Sequence, residues 1–144
     1  MHNILLTQLG TKEALMEIRV YYEDTDCGGV VYYANYLRWL ERARTEFLRS
    51  RGVELAPWMQ KGILFAVSEC NVKYRRPARY DDLVDVSTEV EEVGGAAFWL
   101  KNDVRRGDEL LLEARVRIAC MGADGRPTRI PGEILTALAQ DGAH

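Results

Sequence analysis

Residues 22–36 read Tyr-Glu-Asp-Thr-Asp-Cys-Gly-Gly-Val-Val-Tyr-Tyr-Ala-Asn-Tyr, with acidic residues and a glycine pair crowded into one short connection. Residues 14–22, which run into this stretch, are predicted to form a strand. From Ala34 to Ser50, apolar residues recur at helical spacing, which predicts a helix of about four to five turns that ends near Gly52. The quoted stretch therefore connects a strand to the start of a long helix.

The second half of the chain changes its apolar period from about 3.6 to two, which is typical of strands with one buried face. Leu64 to Tyr74 shows apolar residues at even positions, and the alternation returns in residues 84–90, 98–104 and 110–120. Glycine-containing turns separate the last three segments and are short enough for antiparallel hairpins. We expect four consecutive antiparallel strands.

This order of elements predicts an α+β fold in which the long helix covers the apolar face of an antiparallel sheet. The chain has 144 residues, of which 47% are hydrophobic, so one domain can bury its own core. We assign that domain to residues 14–144. Residues 1–13 show no sustained period and are expected to form a flexible N-terminal leader.

Charge and cysteine content limit the partners and the compartment. A net charge of −3 argues against general nucleic-acid binding, which relies on a basic field. An odd count of 3 cysteines without a Cys-x-x-Cys pair argues against disulfides and structural zinc, and it favours a reducing cytoplasm. No apolar run is long enough for a membrane span, and the N-terminus does not resemble a signal peptide.

The scarcity of histidine excludes several catalytic mechanisms. His2 and His144 stand at the two ends of the chain, so a preorganised Ser-His or Cys-His site is not expected. No metal-ligand spacing, phosphate-binding loop or dinucleotide fingerprint occurs, and we expect neither a metal nor a cofactor. An enzyme with this sequence must therefore move protons with carboxylates.

Asp26 is the carboxylate best placed for such chemistry. Gly28 and Gly29 follow it and permit close approach of the backbone to a ligand. The helix that starts near Ala34 points unpaired N–H groups toward this connection, where they can stabilise an oxyanion. The residues alone leave a second interpretation open, in which Asp24 or Asp26 only caps the turn or favours the helix dipole.

Residues 22–36, together with Glu-Arg-Ala-Arg-Thr-Glu at 41–46, resemble the hotdog-fold acyl-CoA thioesterases. Within them, the stretch is most similar to the branch of 4-hydroxybenzoyl-CoA thioesterase and the Tol-Pal-associated acyl-CoA thioesterases. The resemblance covers roughly residues 16–135. It implies a curved antiparallel sheet wrapped around one long central helix. It also implies a homo-oligomer, a dimer or tetramer with active sites at the subunit interface.

The resemblance further assigns Asp26 as the catalytic residue and places the backbone N–H that polarises the thioester carbonyl near Tyr33. Many Tol-Pal-associated members have His where this chain has Tyr33, so no side-chain role is carried over there. The implied substrate is an acyl-CoA, with acyl carrier protein as a further partner. Asp26 would act as a general base on water or as a nucleophile, and the sequence leaves both routes open.

Coenzyme A carries phosphates, which require cationic side chains near the site. The densest basic cluster consists of Lys73, Arg75, Arg76 and Arg79. Arg126 and Arg129 form a second candidate cluster.

The glutamates of the helix and the cysteine of the loop allow other interpretations. A different hotdog branch uses a glutamate of the helix, but we interpret Glu41 and Glu46 as ion-pair partners, for example Glu46 with Arg42. Cys27 is expected to be a small apolar filler. A hotdog hydratase and a non-catalytic acyl-CoA or acyl-carrier binding module are the alternative functions.

Overall fold

The computed structural model describes residues 4–8 and 13–140, which form an α+β fold as predicted. A six-stranded antiparallel sheet has the order β1-β2-β4-β5-β6-β3. Its elements in chain order are β1 (Ile4–Gln8), β2 (Glu13–Arg19), a 3-10 turn (Tyr22–Asp24), α1 (Asn35–Ser50), α2 (Leu55–Gln60), β3 (Leu64–Tyr74), β4 (Leu83–Val93), β5 (Ala97–Arg106), β6 (Glu109–Met121) and α3 (Gly132–Ala139).

Helix α1 is the long helix expected from the apolar spacing, and it packs against β2 and β4. Trp39 and Phe47 on its inner face are fully buried. The helix ends where predicted because Gly52 adopts a left-handed φ of 84°, which glycine tolerates without strain. The Gly52 N–H then donates to the Arg49 carbonyl at 3.0 Å, and the Val53 N–H donates to the Leu48 carbonyl at 2.9 Å.

The sheet holds the core through the alternation predicted for its central strands. On β4, β5 and β6, every second residue is buried against the helix layer, including Val86, Leu100 and Val116. One polar pair interrupts this apolar layer, where the Asn102 amide donates to the Thr88 hydroxyl at 2.9 Å. Both side chains are buried, so this hydrogen bond partners the Asn102 N–H donor and the Thr88 hydroxyl in the core, while the Asn102 Oδ1 has no partner among the described residues.

Strand β3 departs from the predicted alternation. Phe65 and Val67 pair with inward-facing residues of β6, a β-bulge follows between Val67 and Glu69, and Cys70 then takes the inward position. Because a bulge adds one residue to one strand, it reverses which residues face inward. The prediction that even positions face inward is therefore wrong before the bulge and right after it. As an edge strand, β3 is mostly exposed.

The chain ends of the fold also differ from expectation. The expected leader is wrong for Ile4–Gln8, which pairs with β2 as strand β1, while residues 1–3 and 9–12 lie outside the described residues.

The first predicted strand ends early, because its last residues enter the 3-10 turn. Helices α2 and α3 were not predicted, since each spans only about two turns. In the described part of the chain, no helix has the length and apolarity that crossing a membrane requires.

Candidate active site

The connection between β2 and α1 folds back on itself as a short hairpin. Thr25 and Val31 form an isolated antiparallel bridge, and the Asp26 N–H donates to the Val30 carbonyl at 2.9 Å. The turn closes where the Gly29 N–H donates to the Asp26 carbonyl at 3.1 Å, with a φ of 80° at Gly29. A side chain at this φ would be strained, which explains the glycine. The predicted site residues Asp26, Gly28 and Gly29 thus lie in one turn.

The Asp26 carboxylate is exposed and only partly engaged. One of its oxygens, Oδ1, accepts a hydrogen bond from the Gly28 N–H at 2.8 Å, and among the described residues no donor contacts the other oxygen. A Cβ added at Gly28 would approach Oδ1 to 3.2 Å, so the glycine leaves room for the carboxylate. Turn capping therefore occupies one oxygen and leaves the second available.

Asp24 differs from Asp26 in burial, with 4% of its surface exposed. Its Oδ2 accepts from the Tyr21 N–H at 2.8 Å, and its Oδ1 accepts from the Asn35 side-chain amide at 2.9 Å. Its backbone carbonyl accepts from the Tyr32 N–H at 3.0 Å. The capping role that the sequence left open for either acid thus belongs mainly to Asp24.

The backbone N–H of Tyr33 lies just before the start of α1. The Asn35 N–H donates to the Tyr32 carbonyl at 2.8 Å, which orients the peptide between Tyr32 and Tyr33. This peptide is trans, so the Tyr33 N–H points opposite to that carbonyl and away from the helix. Within residues 4–8 and 13–140, the Tyr33 N–H has no acceptor. The hairpin that carries Asp26 thus leads directly into a free helix N-terminal donor.

A cleft of about 260 Å³ lies beside Tyr33 and has largely aromatic walls. The Tyr74 hydroxyl donates to the Tyr33 carbonyl at 3.1 Å, and the Tyr36 hydroxyl accepts from the Ala78 N–H at 2.8 Å. Burial raises the pKa of both Tyr36 and Tyr74 above the usual tyrosine value, so they stay neutral. The apolar periodicity of the sequence placed Tyr36 and Tyr74 among buried stripe residues and did not predict that they line the cleft. Their hydroxyl groups were the feature that could have indicated a polar role at a site.

The predicted basic cluster divides into two pairs. Arg75 and Arg76 line the cleft, but Arg75 contacts Glu113 at 2.7 Å and Arg76 contacts Glu109 at 2.8 Å. Hydrogen bonds lower the pKa of both glutamates, from Arg106 and then Arg76 at Glu109 and from Arg75 at Glu113, which keeps them charged.

Lys73 and Arg79 form no ion pair with the described residues. Arg79 is bridged to Val30, so its backbone lies next to the turn that carries Asp26. The structure therefore brings Arg75, Arg76 and Arg79 to the loop and the cleft, and it leaves Lys73 near the end of β3.

Two expectations for residues near the loop and helix are wrong. Glu46 pairs with Arg49 and not with Arg42, whose guanidinium is partly buried with no hydrogen-bond partner on Nη1. Arg42 thus turns inward, where Glu46 does not reach it. Cys27 is exposed and is no apolar filler, because residues 26–29 at the tip of the hairpin are all exposed.

Comparison with known proteins shows the family of this chain. Residues 28–113 match the family model described as thioesterase superfamily. The acyl-CoA thioesterase YbgC of Haemophilus influenzae is 41% identical over 123 residues, which cover 84% of this chain and 90% of that protein. A probable thioesterase from Bartonella henselae is 36% identical with a TM-score of 0.77, covering 81% of this chain and 98% of that one.

A mutant of 4-hydroxybenzoyl-CoA thioesterase in complex with 4-hydroxybenzoyl-CoA is also similar. It is 26% identical with a TM-score of 0.81, and the match covers 89% of this chain and 99% of that one. The fold, the loop and these similarities define an enzyme class, the hotdog-fold thioester hydrolases. The chain belongs to the thioesterase superfamily, and the resemblance seen in its sequence is confirmed.

Proposed function

We propose that this protein hydrolyses acyl-CoA thioesters to a carboxylic acid and free coenzyme A, with Asp26 as the catalytic carboxylate. One observation carries this assignment: an exposed carboxylate with an unengaged oxygen lies on the hairpin that leads into the free Tyr33 N–H. The relatives named as acyl-CoA thioesterases support the reaction, and the 123-residue match to one of them is long enough to include Asp26, whereas the family model begins at residue 28.

In the proposed reaction, the thioester carbonyl oxygen accepts a hydrogen bond from the Tyr33 N–H, which stabilises the developing oxyanion. Asp26 then removes a proton from a water molecule that attacks the carbonyl carbon, and the C–S bond breaks to release the thiol. Alternatively, the carboxylate attacks directly and water cleaves the resulting mixed anhydride. A base or an oxyanion donor typically contributes about 10²- to 10⁴-fold in rate, so loss of either should be severe.

The proposed substrate contacts follow the same arrangement. Gly28 and Gly29 let the backbone approach the thioester, and the aromatic cleft beside Tyr33 takes part of the substrate. Lys73 and Arg79 provide charge for the phosphates of coenzyme A without first breaking an ion pair, whereas Arg75 and Arg76 must share their guanidinium groups with glutamates. An acyl carrier protein is a second proposed carrier of the same thioester, since it presents the acyl group on a thiol as coenzyme A does.

The proposed active form is a homo-oligomer, a dimer or a dimer of dimers. β3 is one edge of the described sheet and exposes apolar side chains such as Val67, which has 49% of its surface exposed. An exposed apolar edge strand favours pairing with a second copy of the chain. A partner at this edge would also cover the loop side chains that a single chain leaves open to water.

Cytoplasmic location and association with the Tol-Pal system stay predictions from the sequence. All three cysteines are free thiols, which is compatible with a reducing compartment. Both predictions can be checked by fractionating cells that carry the tagged protein and by co-purification.

The proposed function is tested by thiol release from a panel of short, long and aromatic acyl-CoAs. We expect the wild type to release thiol from at least one class and Asp26→Asn to lose this activity. An absence of thiol release from every thioester would favour a binding module. Hydration of an unsaturated acyl-CoA in place of hydrolysis would favour the hydratase.

A further inference from the structure

The buried pair of Asp24 and Asn35 joins the two ends of the loop that carries the catalytic groups. We propose that this pair is a positioning device, which holds the Asp26 carboxylate and the Tyr33 N–H in their working arrangement without touching the substrate. The inference rests on the proposed function, since it assigns further residues to the same reaction. It goes beyond a capping role, which would affect only stability.

The pair is built as a rigid contact. Asp24 and Asn35 have 4% and 6% of their surface exposed, and the hydrogen bond between their side chains is 2.9 Å long. The second carboxylate oxygen of Asp24 is occupied by the Tyr21 N–H. Because a charged acceptor inside a protein strengthens its hydrogen bonds and is costly to leave unpaired, these contacts fix the carboxylate tightly.

Asp24 reaches Asp26 through the backbone of the hairpin. The Asp24 carbonyl accepts from the Tyr32 N–H, and two residues further on the Asp26 N–H donates to the Val30 carbonyl. These contacts are successive rungs of the same antiparallel ladder. A shift of Asp24 therefore moves the rung next to the catalytic carboxylate.

Asn35 reaches the Tyr33 N–H through the first turn of α1. The Asn35 N–H bonds the Tyr32 carbonyl and so sets the plane of the peptide that contains the Tyr33 N–H. The Asn35 side chain is in turn held by Asp24. One side-chain hydrogen bond thus couples the orientation of the oxyanion donor to the position of the carboxylate.

The test removes this hydrogen bond and then restores it with the donor and the acceptor exchanged. In Asn35→Ala and in Asp24→Asn, we expect kcat to fall about 10- to 100-fold with KM changed less than about threefold, because displacement of reacting groups by about 1 Å costs on that order. In the double variant Asp24→Asn with Asn35→Asp, the amide at position 24 can donate to the carboxylate at position 35. We expect this exchange to recover most of the lost kcat.

A matched control separates positioning from stability. Thr88→Val removes a hydrogen bond between two other buried side chains, Thr88 and Asn102, in the middle of the sheet. We expect it to lower the unfolding midpoint while kcat stays within about twofold of the wild type, since buried polar contacts outside the site affect stability. All rates are measured at a temperature where circular dichroism shows each variant folded.

The outcomes are distinct. Single variants that keep wild-type kcat, or an exchanged pair that is folded but recovers no activity, would overturn the positioning role. If Asp24→Asn does not fold, the positioning role is tested by comparing Asn35→Ala with Asn35→Ser. The serine hydroxyl can donate a hydrogen bond where alanine cannot, so we expect Asn35→Ser to retain more kcat. If Asp26→Asn were fully active, the proposed function would fail first, independently of these variants.

Discussion

The loop of residues 21–36 and the central strands of the sheet are held together by different forces. In the loop, backbone and side-chain hydrogen bonds around Asp24 fix the chain, and the side chains of Asp26 and Tyr33 remain exposed. In strands β4, β5 and β6, alternate side chains such as Leu100 are fully buried. Apolar burial thus stabilises the sheet, whereas a small polar network shapes the loop.

Substitutions in the two regions should therefore have different effects. A change in the sheet core should lower stability and leave the chemistry of the folded fraction intact. A change in the loop should lower activity with little loss of stability, because few apolar contacts depend on it.

The largest effect on stability is expected in the sheet. Leu100→Ala removes a fully buried side chain that packs between β4 and β6, and such truncations cost about 2–5 kcal/mol of unfolding free energy. Urea unfolding at a fixed protein concentration measures this loss. The kcat of the folded variant should equal that of the wild type. A large loss of kcat would show that the sheet core affects activity as well as stability.

The next largest effect, on oligomeric state and on kcat/KM, is expected at the edge of the sheet. In Val67→Lys, a charge on the exposed edge strand should dissociate the proposed dimer and lower kcat/KM by about 100-fold, since like charges on paired strands repel and misplaced groups lose that much rate. Light scattering and thiol release measure both. The matched control is Val93→Lys, because Val93 has a similar exposure of 45% but lies on the interior strand β4. Equal behaviour of the two variants would exclude β3 as the interface.

A smaller effect is expected for the basic cluster of Lys73, Arg75, Arg76 and Arg79. Lys73→Ala with Arg79→Ala should raise KM for acyl-CoA about tenfold, which corresponds to about 1.4 kcal/mol of binding free energy. Arg75→Ala with Arg76→Ala should raise it less, because both guanidinium groups already bind glutamates. Acyl-pantetheine substrates, which lack the nucleotide, should be spared by both changes. Equal losses on the two substrate types would argue against phosphate contacts.

The smallest effect is expected at the turn itself. Gly28→Ala places a methyl group 3.2 Å from the Asp26 carboxylate and should displace it by a few tenths of an ångström, lowering kcat about three- to tenfold. Gly95→Ala is the control, since its added Cβ would meet no atom within 4 Å. Steady-state kinetics compare the two variants. An unchanged kcat in Gly28→Ala would show that the turn tolerates carboxylate movement.

The same contrast explains what could be predicted from the sequence. Apolar periodicity predicted α1 and the hairpins of β4, β5 and β6, because burial on one face leaves a repeating pattern. It failed at the bulge of β3, where an extra residue reverses the pattern without a local sequence signal. It also missed α2 and α3, which are too short to establish a period.

In the loop, residue types and motif resemblance predicted Asp26 and the glycines as site residues, and that prediction awaits its test, but they did not predict the contacts that hold these residues. The hydrogen bond from Asn35 to Asp24 spans eleven positions, and no periodic pattern encodes such a contact. The ion pairs of Arg75 and Arg76 likewise depend on the pairing of β6 beside β3. Contacts between distant segments require the three-dimensional fold.

In the proposed mechanism, Asp26 performs the chemistry and the residues around it hold it in place. The most direct test measures binding and turnover of one acyl-CoA by Asp26→Asn in the same preparation. We predict that kcat falls by at least about 100-fold, while the dissociation constant for acyl-CoA and the unfolding midpoint stay close to wild-type values. A folded Asp26→Asn protein that releases thiol at the wild-type rate would show that Asp26 is not the catalytic carboxylate.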